Sequence, residues 1–115
     1  MSDCIFCKIA AGEIPSRCIW DAEGVYAFRD INPQAPVHFL VIPREHIASG
    51  VKDVTAENSA VVAKCFEVIA KLAAQDERLK NGYRVVSNCG PDAGQTVPHL
   101  HFHVLGGEKM TDTMA

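Results

Sequence analysis

Residues 97–107 read VPHLHFHVLGG and place histidines at 99, 101 and 103. Alternate residues of a strand share a face, so the spacing predicts that His99, His101 and His103 line one surface while Leu100, Phe102 and Val104 point the other way. Three readings suit such a row. A solvated polar edge is the plainest, yet Lys, Glu or Thr would serve it as well as imidazole. A His-x-His pair with a third imidazole is a known zinc arrangement. A neutral imidazole is also a nucleophile at neutral pH, because its reference pKa of about 6.5 leaves it largely unprotonated, and a neighbouring imidazole can act as the acid.

The segment just before the row favours the third reading. Asn88, Gly94, Gln95 and Thr96 offer side-chain and unobstructed main-chain donors of the kind that hold phosphate oxygens and stabilise charge developing in a transition state. A structural zinc site would not require them. His38 is a further candidate, since it interrupts VHFLVI at 37–42, a nearly continuous apolar run suited to a buried central strand. A satisfied core histidine is the competing explanation for it.

Cys4 and Cys7 form a CxxC pair. A redox dithiol would open a helix after a strand, and no strand precedes Cys4. Two small buried hydrophobes are a second reading, which also suits Cys18, Cys65 and Cys89. Zinc is a third, with His46 and His99 completing a Cys2His2 set.

These residues need elements to carry them. Ile5, Phe6 and Ile9 recur at helical spacing, which predicts a short helix over 4–11 ended by Gly12 and Pro15. β-type runs at 17–21 and 25–29 flank Glu23-Gly24 and read as a hairpin. INPQAP then breaks the pattern, because its prolines remove ladder donors. The strand at 37–42 ends at Pro43, and 44–54 reads as loop or one helical turn. Thr55 offers a cap for a long helix over about 56–76, whose Val61, Cys65, Val68, Ile69 and Leu72 form one buried stripe, with Asn81-Gly82 closing the element. A strand at 83–88, a loop at 89–98 and a last strand at 99–106 follow. The order predicts an α+β fold, a mostly antiparallel sheet with one long helix and a short N-terminal helix.

The 115 residues suit one domain, and 48% hydrophobic with 22% charged content is ordinary for a soluble globule. A net charge of −3 supplies no global field for nucleic acid or an anionic membrane, so an anionic ligand must be held by local donors. No stretch approaches a membrane span and the N-terminus lacks a secretory pattern, so a cytoplasmic location is expected, with the cysteines reduced or metal-bound.

The run from Asn88 through Asp92, Gly94, Gln95 and Thr96 into HLHFHVLGG resembles the histidine triad (HIT) family. IFCKIAAGEIPS, AFRDINPQAPVHFLVIP and the final Leu-Gly-Gly extend the likeness over essentially the whole chain, toward the Hint branch of nucleotide-binding hydrolases. The resemblance implies a single HIT domain over 1–115 that cleaves purine nucleoside phosphoramidates, or related nucleoside 5′-monophosphate derivatives, to AMP or GMP. It implies that His101 attacks the α-phosphorus to give a nucleotidyl-histidine, that His103 contacts the phosphate and helps the leaving group, and that His99 orients His101 through its carbonyl. His38 matches a fourth histidine, and Asn88, Gln95 and Thr96 match the phosphate loop, with Thr96 where serine is more usual.

By the same likeness Asp30 would accept the ribose hydroxyls, and Ile5, Phe6, Ile9, Phe28 and Ile31 would form the apolar slot for the base. From the residues alone those hydrophobes read as plain core and Asp30 as a turn carboxylate. Zinc on Cys4, Cys7, His46 and His99 occurs in some relatives and would be structural, not required for the chemistry. The resemblance also implies a homodimer built on the long helix and the strand at 83–88. Two other functions compete: a dinucleoside polyphosphate hydrolase, against which Gly106-Gly107 speaks, and a nucleotide-binding or scaffolding protein with vestigial activity. A metal-storage role is a third. The tail EKMTDTMA departs from the branch, whose tails often carry an aromatic residue.

Overall fold

The computed structural model describes residues 4–112, so the last three residues of the divergent tail lie outside the described residues. Five strands form one sheet in the spatial order β1-β2-β3-β5-β4, and every neighbouring pair is antiparallel. β1 (Cys18–Ala22) and β2 (Val25–Arg29) make the expected hairpin. Its turn residues Glu23 and Gly24 both have positive φ, 59° and 80°, the mirror-type turn whose twist matches that of paired strands. β3 (Val37–Pro43) is buried along its length at the centre of the sheet, as its continuous apolar run predicts.

The period-2 alternation sorts side chains onto two faces. Val25, Ala27, Val37, Phe39, Val41, Phe102 and Val104 join Cys65, Val68, Ile69 and Ala73 of α2 (Ser59–Ala74) in the main core. Tyr26, Phe28, Leu40 and Ile42 point to the opposite face and meet Phe6 and Ala10 of α1 (Ile5–Ala10). The sheet is thus covered by one long helix on one side and one short helix on the other, and His38 and His103 fall on the short-helix side.

Several boundaries differ from the sequence expectation. α2 begins at Ser59, because the Thr55 hydroxyl accepts from the Glu57 N–H while Asn58 Oδ1 accepts from the Thr55 N–H, a closed turn ahead of the helix. α2 ends at Ala74, close to the expected 76, but Asn81-Gly82 does not close it: Asp76 accepts from the Arg78 N–H and starts a separate 3-10 turn at Glu77–Leu79. β4 (Tyr83–Val86) stops short of residue 88.

The most consequential difference is β5, which begins at Phe102, leaving His99 and His101 outside the ladder. Their backbone finds other partners: the Leu100 N–H donates to the Ala48 carbonyl, the His99 N–H to Val97, and the His101 carbonyl accepts from the Ser87 hydroxyl. The two faces nevertheless alternate as expected, with Leu100 wholly buried in the main core. Gly106 ends the strand against Leu79, where a Cβ would come within 2.5 Å of its side chain.

Candidate active site

β3 and β5 bring two histidines together as diagonal neighbours, since His38 pairs with Leu105 and Leu40 with His103. His38 Nε2 lies 2.9 Å from His103 Nδ1. The main-chain N–H of Gln34 donates to His38 Nδ1 at 3.0 Å, which assigns the protons. With Nδ1 accepting, neutral His38 carries its hydrogen on Nε2 and donates it to His103 Nδ1, so neutral His103 carries its own on Nε2. Asp30 Oδ2 stands 3.4 Å from the same His38 Nε2, and its Oδ1 is held by the Asn32 N–H at 2.8 Å.

His101 is fixed differently. Its Nδ1–H donates to the His99 carbonyl at 2.6 Å, so the lone pair of the neutral ring is on Nε2. That Nε2 has no hydrogen-bond partner among the described residues, where no buried side-chain nitrogen or oxygen is left unpaired, so it opens to solvent. The Phe6 and His103 rings flank His101 edge to face, with centroids 5.0 and 5.1 Å away. His99 does a third job: its Nε2–H donates to the Pro43 carbonyl at 2.9 Å, while Nδ1 faces Cys4 Sγ at 3.2 Å and Cys7 Sγ at 3.5 Å.

Burial sets the charge state. It pushes His99 and His103 down to about 4 and lowers His101 as well. His38 is lowered for the same reason, with the Asp30 carboxylate pulling the other way. The four imidazoles are therefore neutral at pH 7, the state in which an Nε2 lone pair is available for attack.

The loop before the row holds one surprise. Gln95, expected among the phosphate donors, spends its amide on the protein: Nε2 donates to the Ser49 and Val97 carbonyls at 2.5 and 3.0 Å, and Oε1 accepts from the Gly90 N–H at 2.8 Å. It is a brace for the loop. Gly94 takes a left-handed conformation (φ 81°) at the end of a 3-10 turn, Pro91–Ala93, and its N–H returns to the Pro91 carbonyl. The side chains of Asn88 and Thr96 make no hydrogen bond among the described residues and remain available to a ligand.

The hydrophobes of the expected base slot divide. Phe6 and Phe28 are buried with ring centroids 5.5 Å apart, and Ile9 packs against them, so plain core accounts for all three. Ile5 and Ile31 do not fit that account, being 46% and 85% exposed. Two large apolar side chains left in water, the second adjoining Asp30, are surface that a planar apolar ligand could cover.

Two clusters have the composition of a metal site: Cys4, Cys7, His46 and His99, and Asp30, His38 and His103. Ring protonation separates them. A ligating imidazole needs its lone pair on the nitrogen facing the ion and commonly donates from the other. His99 does so, with Nε2–H on Pro43 and Nδ1 toward the thiols. His38 does the reverse, because the Gln34 N–H occupies Nδ1 and puts the hydrogen on the Nε2 that would have to ligate. The distances agree: tetrahedral zinc with bonds of about 2.3 Å to sulfur and about 2.0 Å to nitrogen sets S and N about 3.5 Å apart, and Cys4 to His99, Cys7 to His99 and Cys7 to His46 measure 3.2, 3.5 and 3.6 Å. The Cys2His2 set fits a zinc-like ion, and the Asp30 set, with that hydrogen on His38 Nε2, does not.

The structure also recruits groups that the sequence did not single out. The Gln34 N–H, the Pro43 carbonyl and the Ser87 hydroxyl each fix a histidine or its backbone. Main-chain groups carry no residue-type signal, although the prolines of INPQAP marked the loop that delivers Gln34.

Residues 11–110 match the family model described as the HIT domain. Among curated relatives, a purine nucleoside phosphoramidase of Escherichia coli (strain K12) is 42% identical over 111 residues, 96% of this chain and 92% of that protein. An uncharacterized HIT-like protein of Synechococcus elongatus is 47% identical over 108 residues, 94% of this chain and 93% of that one. A solved HIT family hydrolase from Clostridium thermocellum superposes with a TM-score of 0.94 at 43% identity, covering 100% of this chain and 99% of the other.

Proposed function

The chain belongs to the HIT domain family, and on that premise we propose that it is a hydrolase of purine nucleoside phosphoramidates, or of related nucleoside 5′-monophosphate derivatives, acting through a nucleotidyl-histidine and releasing AMP or GMP. The observation that carries this reading is the 2.6 Å bond from His101 Nδ1–H to the His99 carbonyl, which leaves a neutral, accessible Nε2. The name of the Escherichia coli relative supports the substrate class.

In the first step His101 Nε2 bonds to the α-phosphorus and the P–N bond to the leaving amine breaks. The positive charge that develops on the ring is stabilised through Nδ1–H by the His99 carbonyl. The leaving amine takes a proton from His103 Nε2. Although burial holds His103 down to about 4 in the free protein, an anionic phosphate beside it favours the imidazolium and recruits a proton to it, His38 then turning its Nε2–H from His103 Nδ1 to Asp30 Oδ2, 3.4 Å away. In the second step water attacks phosphorus, His103 Nε2 takes its proton, and the bond between phosphorus and His101 breaks. Asn88 and Thr96 donate to the phosphate, Asp30 accepts from the ribose hydroxyls, and Ile5 and Ile31 cover the base above Phe6.

A zinc ion held by Cys4, Cys7, His46 and His99 would neutralise the thiolates and tie α1 to the loop before β5, supplying structure and no nucleophile. The 1–115 chain acts as a single HIT domain, and a second copy covers the exposed Phe66, Tyr83 and Val85.

Acid quench during turnover of an adenosine 5′-phosphoramidate, followed by peptide mass spectrometry, tests the reading. A nucleotide-mass adduct on the peptide containing His101 is expected, and His101→Ala abolishes both adduct and turnover, a loss of several orders of magnitude. Product accumulating at the parental rate without an adduct would overturn the covalent route.

A further inference from the structure

We propose that the Cys4, Cys7, His46 and His99 cluster, when it holds a divalent metal, aims the His101 imidazole through two links, the His99 main chain and the Phe6 ring. The inference rests on the reading of His101 as the nucleophile and adds a role for a cluster that takes no part in the bond changes.

The first link is a single residue with three engagements. His99 is fully buried; its Nε2–H is held by the Pro43 carbonyl, its Nδ1 faces the two thiols, and its own carbonyl accepts the 2.6 Å bond that orients His101. Fixing both ring nitrogens adds a side-chain hold to the peptide that carries that carbonyl, whose Leu100 N–H is held by the Ala48 carbonyl. Without an ion, Nδ1 meets only thiols at 3.2 and 3.5 Å, and a thiol is a weak donor. The hold on the His99 ring then depends on the Pro43 bond alone.

The second link is α1. Six residues are too few to hold a helix by themselves. Its N-terminus is made by the ligands, since Cys4 Sγ accepts from the Cys7 N–H at 3.3 Å and both sulfurs face His99. Phe6 lies between the two cysteines, and its ring meets Phe28, His99 and His101 edge to face at 5.5, 6.0 and 5.0 Å. An ion that anchors Cys4 and Cys7 therefore anchors the wall that limits the swing of His101. Phe6 is a positioning residue in this scheme, as is His99.

The test compares the full-length protein as purified, stripped with a chelator, and reloaded with Zn²⁺ or Co²⁺. Its readouts are metal content, imidazole ¹⁵N spectra of His101, amide exchange over residues 4–12, and the single-turnover rate of adduct formation. Stripping is expected to convert His101 from one Nδ1–H tautomer to a mixture, to speed exchange over 4–12, and to slow adduct formation about tenfold or more, all reversed by Zn²⁺. Phe6→Leu separates the links: it is expected to keep the metal and the His99 ring signals yet slow adduct formation. The proposal is overturned if the protein takes up neither ion, or if stripping leaves the His101 spectrum and the exchange unchanged. Should the loaded protein form no adduct, the nucleophile reading fails, and the spectra and exchange still decide whether the cluster and His101 are linked.

Discussion

The hydrogen between His38 Nε2 and His103 Nδ1, 2.9 Å apart, belongs to His38, because the Gln34 N–H claims the other nitrogen of that ring. His103 is left with its own N–H on Nε2, the atom proposed to serve the leaving group. His38→Phe keeps a ring and removes the donor. It is expected to lower kcat about 100-fold for an alkylamine leaving group, and far less for a leaving group that needs no proton. Steady-state rates on the two substrates measure the ratio, and an equal loss on both would show that His38 only supports the fold.

The same network makes stability depend on pH. His103 has a folded pKa of about 4 against an ordinary 6.5, because burial disfavours its charged form. As pH falls the unfolded chain takes up this proton first, so its contribution is intact above about 6.5, is lost progressively toward about 4, and changes no further below that. Denaturant midpoints at pH 7 and at about pH 5 check this. The drop is expected to be smaller in His103→Asn, and an unchanged drop would place the sensitive group elsewhere.

The pattern of the fold was legible because it rests on burial. The unbroken run at Val37–Pro43 reads as a central strand, and the stripe through Cys65, Val68 and Ile69 reads as one face of a helix, and both are so. The start of β5 was not legible, since alternation cannot say whether a backbone pairs with a strand or, as at Leu100 and His101, with Ala48 and Ser87. The clustering of Cys4 and Cys7 with His46 and His99 followed from residue types that share a preference for one ion. The distinction between that cluster and Asp30, His38 and His103 was hidden, because it turns on the Gln34 and Pro43 main chain.

Gln95 and Thr96 are neighbours with opposite duties. Gln95→Leu would orphan the Gly90 N–H and the Ser49 carbonyl, the Val97 carbonyl keeping the His99 N–H, at a cost of about 1–3 kcal/mol, and loosen the loop. Thr96→Val removes an exposed hydroxyl with no partner among the described residues, so stability is expected to hold while KM for the phosphoramidate rises. Thermal unfolding and kinetics on the two variants separate the roles. A stable Gln95→Leu with KM raised as far as in Thr96→Val would return Gln95 to the phosphate.

β4 lies at the edge of the sheet, hydrogen-bonded only through β5, and leaves Tyr83 and Val85 41% and 38% exposed. An open edge with apolar side chains invites another chain, and soluble proteins usually blunt such edges with charge. Here the apolar surface extends to Phe66 of α2, 49% exposed with its ring 5.0 Å from Phe102 of the strand beside β4. Apolar side chains exposed on a helix and on an edge strand would be covered by a second copy, since a two-fold axis lets each patch meet its equal. Val85→Lys places a charge in that contact without touching the core, so it is expected to convert a dimer to a monomer while each chain stays folded. Sedimentation equilibrium at micromolar concentration reads the mass, and a parental protein that sediments as a monomer there would rule the dimer out.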